Sequence, residues 1–102
     1  MVTRTIPTIT ALQAEGIANQ FLSDHLPDRF LACHPELDAD GSVWRLPVFL
    51  TNAIIGPVGE VGELTLSASS EVIISHTPFE EMMTRARTLY DQHRDAIEAP
   101  LP

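Results

Sequence analysis

The sequence predicts an α+β fold, in which an antiparallel meander of three or four strands is covered on one face by two helices. Three observations predict it. One amphipathic stretch precedes residue 27, alternating apolar residues fill the middle of the chain, and a second amphipathic stretch follows residue 77. Apolar residues that recur every three or four positions indicate a helix, and alternating ones indicate a strand. The 102 residues are expected to form one domain, frayed over residues 1–9 and 99–102.

The N-terminal helix is predicted over residues 11–25. Thr10 and Gln13 have the spacing of a capping box, in which two side chains bond the free amides at a helix start. An apolar stripe at spacings of three and four follows, at Ala14, Ile17, Ala18, Phe21, Leu22 and His25. The helix must end before Pro27, because the residue before a proline avoids helical backbone angles.

A hairpin is predicted between residues 29–37 and 43–51, with a turn at Asp40 and Gly41. An Asp-Gly pair favours the type I′ turn, which needs positive φ angles at both central positions. In the second strand, the more apolar face is assigned to the core and consists of Trp44, Leu46, Val48 and Leu50. The opposite face consists of Val43, Arg45, Pro47, Phe49 and Thr51.

The next strand, over residues 58–66, is expected to be bulged or bent. Val61 and Leu64 are three residues apart, so strict alternation would place them on opposite faces. Gly59 and Gly62 lie in this stretch, and a glycine inside a strand often marks a bulge.

The chain is expected to close with a short strand, over residues 71–75, and a long helix. Thr77 as the N-cap, Pro78 at the first position and Glu80 at the third are concordant signals for a helix start. The helix is expected to end near Glu98, before the next proline. Its apolar stripe consists of Phe79, Met82, Met83, Ala86, Leu89, Tyr90, His93 and Ile97.

The chain is acidic, with 14 Asp and Glu residues against 6 arginines and a net charge of −8. Neither nucleic acid nor an anionic membrane is an expected partner, because binding to phosphate depends on clustered basic side chains. This charge is compatible with a basic protein partner, and equally with a role only in keeping the chain in solution. No segment has the roughly 20 apolar residues of a membrane span. No secretory signal is apparent, so a cytoplasmic location is expected.

Neither a metal site nor a cofactor is expected. Residues 36–41 place oxygens at alternate positions before a glycine, as in a calcium-binding EF-hand loop. The twelfth position of that loop is Pro47, where a bidentate glutamate is required, so the segment is interpreted as a polar turn. The four histidines lack metal-ligand spacing, and no glycine-rich loop precedes a helix to hold a phosphate.

No catalytic residue is assigned. Cys33 and His34 are neighbours in a predicted strand, where adjacent side chains point to opposite faces and cannot pair. A pairing of Cys33 with His25 or His76 remains geometrically open. A free cysteine is more often a small buried apolar residue, and a single one agrees with a reducing compartment.

The predicted interaction surface consists of Val43, Phe49, Ile54 and Ile55. The two isoleucines lie in a loop, where they either fold back over the core or form a contact surface. Val43 and Phe49, and Val61 as a further candidate, belong to the sheet face that the helices leave bare. Closed two-fold pairing is the commonest way to bury such a surface, so a homodimer is expected. The alternative is a monomer whose loop folds inward.

Along the chain come a helix and then the segments Val43-Trp44-Arg45-Leu46-Pro47-Val48, Val61-Gly62-Glu63-Leu64-Thr65-Leu66 and Glu71-Val72-Ile73. This order, over residues 11–74, resembles a PepSY-type domain. Ser67 and Ser70 stand where that family has an Asp and a Gly in its hairpin turn. The resemblance implies a non-enzymatic binding or inhibitory module, often tied to proteases or the cell envelope, with no catalytic residues to carry over.

The sequence therefore predicts a small non-catalytic binding or regulatory protein that acts through protein–protein contacts. The alternative is a small enzyme or ligand-binding protein with a pocket between the sheet and the C-terminal helix. A deep pocket with converging Cys33, His or Glu side chains would favour the enzyme. A filled core with an apolar outer patch would favour the binding module.

Overall fold

The computed structural model describes residues 8–27, 29–53 and 55–97. In chain order these form α1 (Ala11–His25), β1 (Phe30–Ala32), β2 (Glu36–Leu37), β3 (Val43–Asn52), β4 (Gly56–Ser67), β5 (Ile73–His76), α2 (Phe79–Gln92) and α3 (Arg94–Ile97). The strands form one antiparallel sheet in the order β1-β3-β4-β5, and β2 also pairs with β3. Side chains from α1, α2 and one sheet face form the core. The predicted α+β fold is confirmed.

The predicted bounds and capping box of α1 are confirmed. The Thr10 hydroxyl accepts the Gln13 amide at 3.1 Å, and the Gln13 side chain accepts the Thr10 amide at 2.8 Å. Ala14, Ala18 and Leu22 are buried in the core. These small and medium side chains let α1 lie close to the sheet.

Asn19 attaches α1 to the edge of the sheet. Its side-chain oxygen accepts the Ala32 amide at 2.8 Å, and its side-chain nitrogen donates to the Ala32 carbonyl at 2.9 Å. Because β1 pairs with β3 on its other side, this side-chain amide takes the place of a further strand. An edge that is bonded in this way cannot pair with another chain at that position.

The predicted hairpin is confirmed, since Phe30 faces Leu50 and Leu37 faces Trp44 across the β1, β2 and β3 pairings. Its turn is not of type I′. Gly41 has a φ of 78°, and no positive φ is found at the preceding Asp. The Asp38 carboxylate accepts the amides of the two residues after Gly41 at 2.9 and 3.1 Å, so a side chain organises the turn in place of a second positive φ.

The core face of β3 is also confirmed, because Trp44, Leu46, Val48 and Leu50 are all buried. The Trp44 indole donates to the Ile9 carbonyl at 2.8 Å, and the Ile9 amide donates to the Ala68 carbonyl at 2.8 Å. Ile9 is itself buried, so the fraying predicted for residues 1–9 is wrong at Ile9. Residues 1–7 and 98–102 lie outside the described part of the chain.

The expected bulge in β4 lies at Val61. Val48 faces Gly62 and Phe49 faces Glu60, so Val61 is an extra residue without a partner in β3. Two consecutive residues at a bulge can point to the same side of a sheet. Val61 is therefore fully buried, and its assignment to the bare face is wrong.

The predicted cap of the second helix is wrong. The Thr77 hydroxyl accepts the Glu63 amide at 3.0 Å, and the Thr77 amide donates to the Glu63 carbonyl at 2.9 Å. Thr77 thus continues the pairing of β5 with β4. Pro78 precedes the helix without a side-chain cap, and α2 begins at Phe79. The sheet competes successfully for the hydroxyl that the helix would have used.

The second helix is also shorter than expected. It ends at Gln92, and the four-residue α3 follows after a break at His93. The imidazole Nδ1 and the backbone amide of His93 both bond the Leu89 carbonyl, at 2.9 and 3.0 Å. The predicted end near Glu98 lies outside the described residues. Of the apolar stripe, Met82 and Ala86 are buried.

Candidate functional site

A groove of about 520 Å³ lies between α2 and the end of the sheet formed by β1 and β3. It exists because α1 packs chiefly on β1 and α2 chiefly on β4, which leaves a gap between the two helices. Its lining comes from the α1–β1 connection, from one residue each of β1 and β3, and from one side of α2. The lining residues are Pro27, Arg29, Phe30, Leu50, Met83, Ala86, Arg87 and Tyr90.

The groove is apolar inside and cationic at its rim. Leu50 and Ala86 form the floor and are only 6% and 8% exposed. The half-buried walls are Phe30, Met83 and Tyr90. Arg29 and Arg87 lie at the exposed rim, with Pro27 beside them. An apolar interior with a few polar groups at its edge is typical of ligand-binding sites.

The two rim arginines differ from the other arginines that the structure describes. Three ion pairs use the remaining ones: Arg45–Glu63 at 4.0 Å, Arg85–Glu81 at 2.7 Å and Arg94–Asp91 at 2.6 Å. Within the described residues, neither Arg29 nor Arg87 has a carboxylate partner. The groove thus concentrates unpaired positive charge on a protein whose net charge is −8.

Among the residues that the structure describes, the groove lining contains no thiol, imidazole, hydroxymethyl group or carboxylate. Cys33, the residue considered for nucleophilic chemistry, is not part of it and is half-buried. Burial raises the pKa of the Cys33 thiol, and the charge of Glu15 raises it further. The thiol is therefore held in its protonated, weakly nucleophilic form at neutral pH.

The histidines that could have joined Cys33 are engaged elsewhere. The rings of His25 and His76 both stack on Phe79, with centroid distances of 5.0 and 4.4 Å. Phe21 packs against the same two imidazoles at 4.6 and 5.3 Å. These rings join the end of α1 to the start of α2, so the two histidines have a structural role in packing the helices together.

Within the described residues, no group of three or more His, Cys, Asp or Glu side chains could hold a metal ion. The acidic segment that resembles half a calcium loop is a hairpin turn. Ser42 donates its hydroxyl to Asp40 at 2.6 Å, and this bond holds the pKa of the Asp40 carboxyl below its usual value. Asp38 accepts backbone amides, so both carboxylates are used by the turn itself.

The predicted interaction residues do not form one continuous cluster. Phe49 is half-buried on the bare sheet face, and its ring lies edge-on to His34 at 6.2 Å. Val43 is also half-buried on that face, but six residues along the strand from Phe49 correspond to about 20 Å. Ile55 is 37% exposed in the β3–β4 turn. Ile54 lies outside the described residues.

Sequence reasoning missed Leu31, which pairs with Phe49 across β1 and β3 and is 41% exposed. It also named no groove residue as part of a site, although its alternative placed a pocket between the sheet and the C-terminal helix. The available signal was Arg87, which lies next to the apolar stripe that contains Met83 and Tyr90. The sequence around Arg87 does not indicate which end of the sheet lies beside that side of α2.

None of the described helices is long and apolar enough to cross a lipid bilayer.

No protein family, curated protein or solved structure matches this chain. The resemblance to PepSY-type domains therefore stays a prediction. The function of the chain has to be inferred from the geometry of the groove and of the bare sheet face.

Proposed function

We propose that this chain is a small non-catalytic binding protein and that the groove between α2 and the sheet is its binding site. The observation that carries the proposal is the apolar floor of Leu50 and Ala86 beneath a rim with two arginines that form no ion pair with any described residue. Its volume of about 520 Å³ falls within the range of roughly 300–1,000 Å³ that is usual for ligand sites.

The chemistry of the lining favours binding over catalysis. Hydrolytic and transfer enzymes need a nucleophile or a general acid or base within reach of the substrate. The described lining offers guanidinium, phenol, thioether and hydrocarbon groups, so the Tyr90 phenol is the one described group there that could transfer a proton, and no described nucleophile accompanies it. A cytoplasmic location, as expected from the sequence, is part of the same proposal.

An NMR titration with octan-1-ol tests whether the groove accepts an apolar ligand. We expect saturable shifts of the amides of Phe30, Leu50 and Ala86, because the alkyl chain should displace water from the apolar floor. Ala86→Met should abolish these shifts by filling the groove. Ala11→Met, at an exposed position of α1, should leave them unchanged. Shifts spread evenly over the surface, or unaffected by Ala86→Met, would contradict the proposal.

The second candidate function is association through the bare sheet face, with a homodimer as the expected form. Leu31 and Phe49 support it, since they lie opposite each other on that face and Leu31 is 41% exposed. Apolar surface of this kind often marks a contact site.

Light scattering at micromolar concentration tests the dimer. We expect twice the chain mass of 11.2 kDa for the wild type and the single mass for Leu31→Lys, because a charge would be placed in the apolar contact. Leu12→Lys, at a leucine that is 79% exposed on α1, should remain dimeric. A monomeric wild type would remove this candidate and leave the groove unaffected.

A further inference from the structure

We propose that the groove binds an amphipathic carboxylate, a monoanion whose apolar body lies on the floor and whose carboxylate lies between Arg29 and Arg87. This inference rests on the proposed function and specifies the class of ligand. The juxtaposition that carries it is a pair of guanidinium groups, without a carboxylate partner among the described residues, at the rim of a buried apolar floor.

The positive charge of Arg29 and Arg87 favours a ligand that carries a carboxylate. Guanidinium groups bind carboxylates through two parallel N–H donors, and an arginine that is not already paired has those donors available. The acidic side chain nearest to Arg87 in sequence on α2 is Asp91, which accepts from Arg94 at 2.6 Å. The chain as a whole repels anions because its net charge is −8, so an anion needs a local cationic site such as this one.

The apolar interior of the groove favours a ligand with a hydrocarbon body. Leu50, Ala86 and the half-buried walls offer apolar contacts to a hydrocarbon body. Each methylene group that is buried there contributes roughly fourfold to affinity. An ion without such a body, such as acetate, would gain only the contacts at the exposed rim, which solvent screens.

The lining also disfavours other ligand classes. A cationic ligand would find no carboxylate among the described lining residues and would be repelled by both arginines. A polyphosphate is usually held by several backbone amides at a helix N-terminus. The groove instead uses residues 83–90 from the middle and end of α2, so it lacks that arrangement.

Calorimetry with octanoate, octan-1-ol, octylammonium and acetate tests the inference on the wild-type protein. Octanoate is expected to bind about tenfold more tightly than octan-1-ol, because charge-assisted hydrogen bonds add to the same alkyl contacts. Octylammonium should bind more weakly than octan-1-ol, and acetate should show no measurable binding. Raising the salt concentration from about 50 to about 500 mM should weaken octanoate binding and leave octan-1-ol unchanged, because the screening length becomes about threefold shorter.

Arginine variants test where the carboxylate of the ligand binds. The double variant Arg29→Gln, Arg87→Gln should bind octanoate only as tightly as octan-1-ol, whose own affinity should not change. Arg45→Gln is the matched control, because it removes one positive charge from the opposite sheet face, where Arg45 pairs with Glu63. All three positions are exposed, so the variants should keep the wild-type circular dichroism spectrum.

The two levels of the proposal fail in different ways. If octan-1-ol binds in the groove and octanoate binds no more tightly, the carboxylate inference is overturned while the proposed function stands. An unchanged octanoate affinity in the double variant would also overturn it. If none of the octyl compounds binds to the wild type, both the inference and the groove as a binding site are overturned.

Discussion

Replacing Leu64 with alanine is expected to lower the free energy of unfolding by about 3–5 kcal/mol. Leu64 is fully buried on β4, where it faces Leu46 on β3 and His76 on β5. Hydrogen-bonded strands on both sides limit how far the surroundings can collapse into the space left by the side chain. The decrease in the free energy of unfolding therefore includes both the lost burial of apolar surface and most of the energy of leaving a cavity.

Urea unfolding followed by circular dichroism measures this effect. Leu12→Ala is the matched control, because Leu12 is 79% exposed on α1 and its truncation removes little packing. Its free energy of unfolding should stay within about 0.5 kcal/mol of the wild-type value. A loss under about 1 kcal/mol for Leu64→Ala would contradict the central position of Leu64 in the core.

Gly62→Ala is expected to lower the free energy of unfolding by about 2–4 kcal/mol. A Cβ atom at Gly62 would lie 2.8 Å from both the Cβ and the hydroxyl oxygen of Thr77, and 3.2 Å from the Cγ of Met82. Thr77 cannot retreat freely, because two hydrogen bonds hold it to Glu63. Displacing it would strain the start of α2, whose Met82 is fully buried.

The same substitution at two other glycines tests whether steric contact is the cause. At Gly59 the three atoms nearest to the new Cβ would all belong to the Leu89 side chain, whose methyl groups, at 2.9 Å, can rotate away. At Gly16 in α1 nothing lies within 4 Å, so alanine should stabilise the protein by up to about 1 kcal/mol. The expected order of stability is Gly16→Ala above wild type, then Gly59→Ala, then Gly62→Ala. A Gly62→Ala variant as stable as Gly16→Ala would exclude the proposed clash.

Local sequence determined those elements whose signals act within a few residues. The capping box of Thr10 and Gln13 and the proline at position 27 define α1, because both operate through bonds or clashes one turn away. Alternation along β3 identified its buried face, since successive side chains in a strand point to opposite sides. The glycines of β4 indicated the bulge, although not which side chain it would bury.

Contacts between elements that are distant in sequence decided the features that local signals could not predict. Thr77 had the residue type and spacing of a helix cap, but the Glu63 amide, 14 residues earlier, takes its hydroxyl. Val61 was assigned to the bare face by simple alternation, yet the bulge turns it into the core. Asn19 carried no signal at all, because only the docking of α1 brings its side-chain amide to the open edge of β1.

The groove is the clearest product of tertiary structure. Its residues come from three separate parts of the chain, and none of these parts is a recognisable motif alone: Pro27, Arg29 and Phe30; then Leu50; then Met83, Ala86, Arg87 and Tyr90. The sequence determined that Leu50 and Ala86 are apolar and that Arg29 and Arg87 are charged. Only the packing of α1 on β1 and of α2 on β4 decided that these side chains border one gap, because the separation of two helices depends on the whole sheet between them.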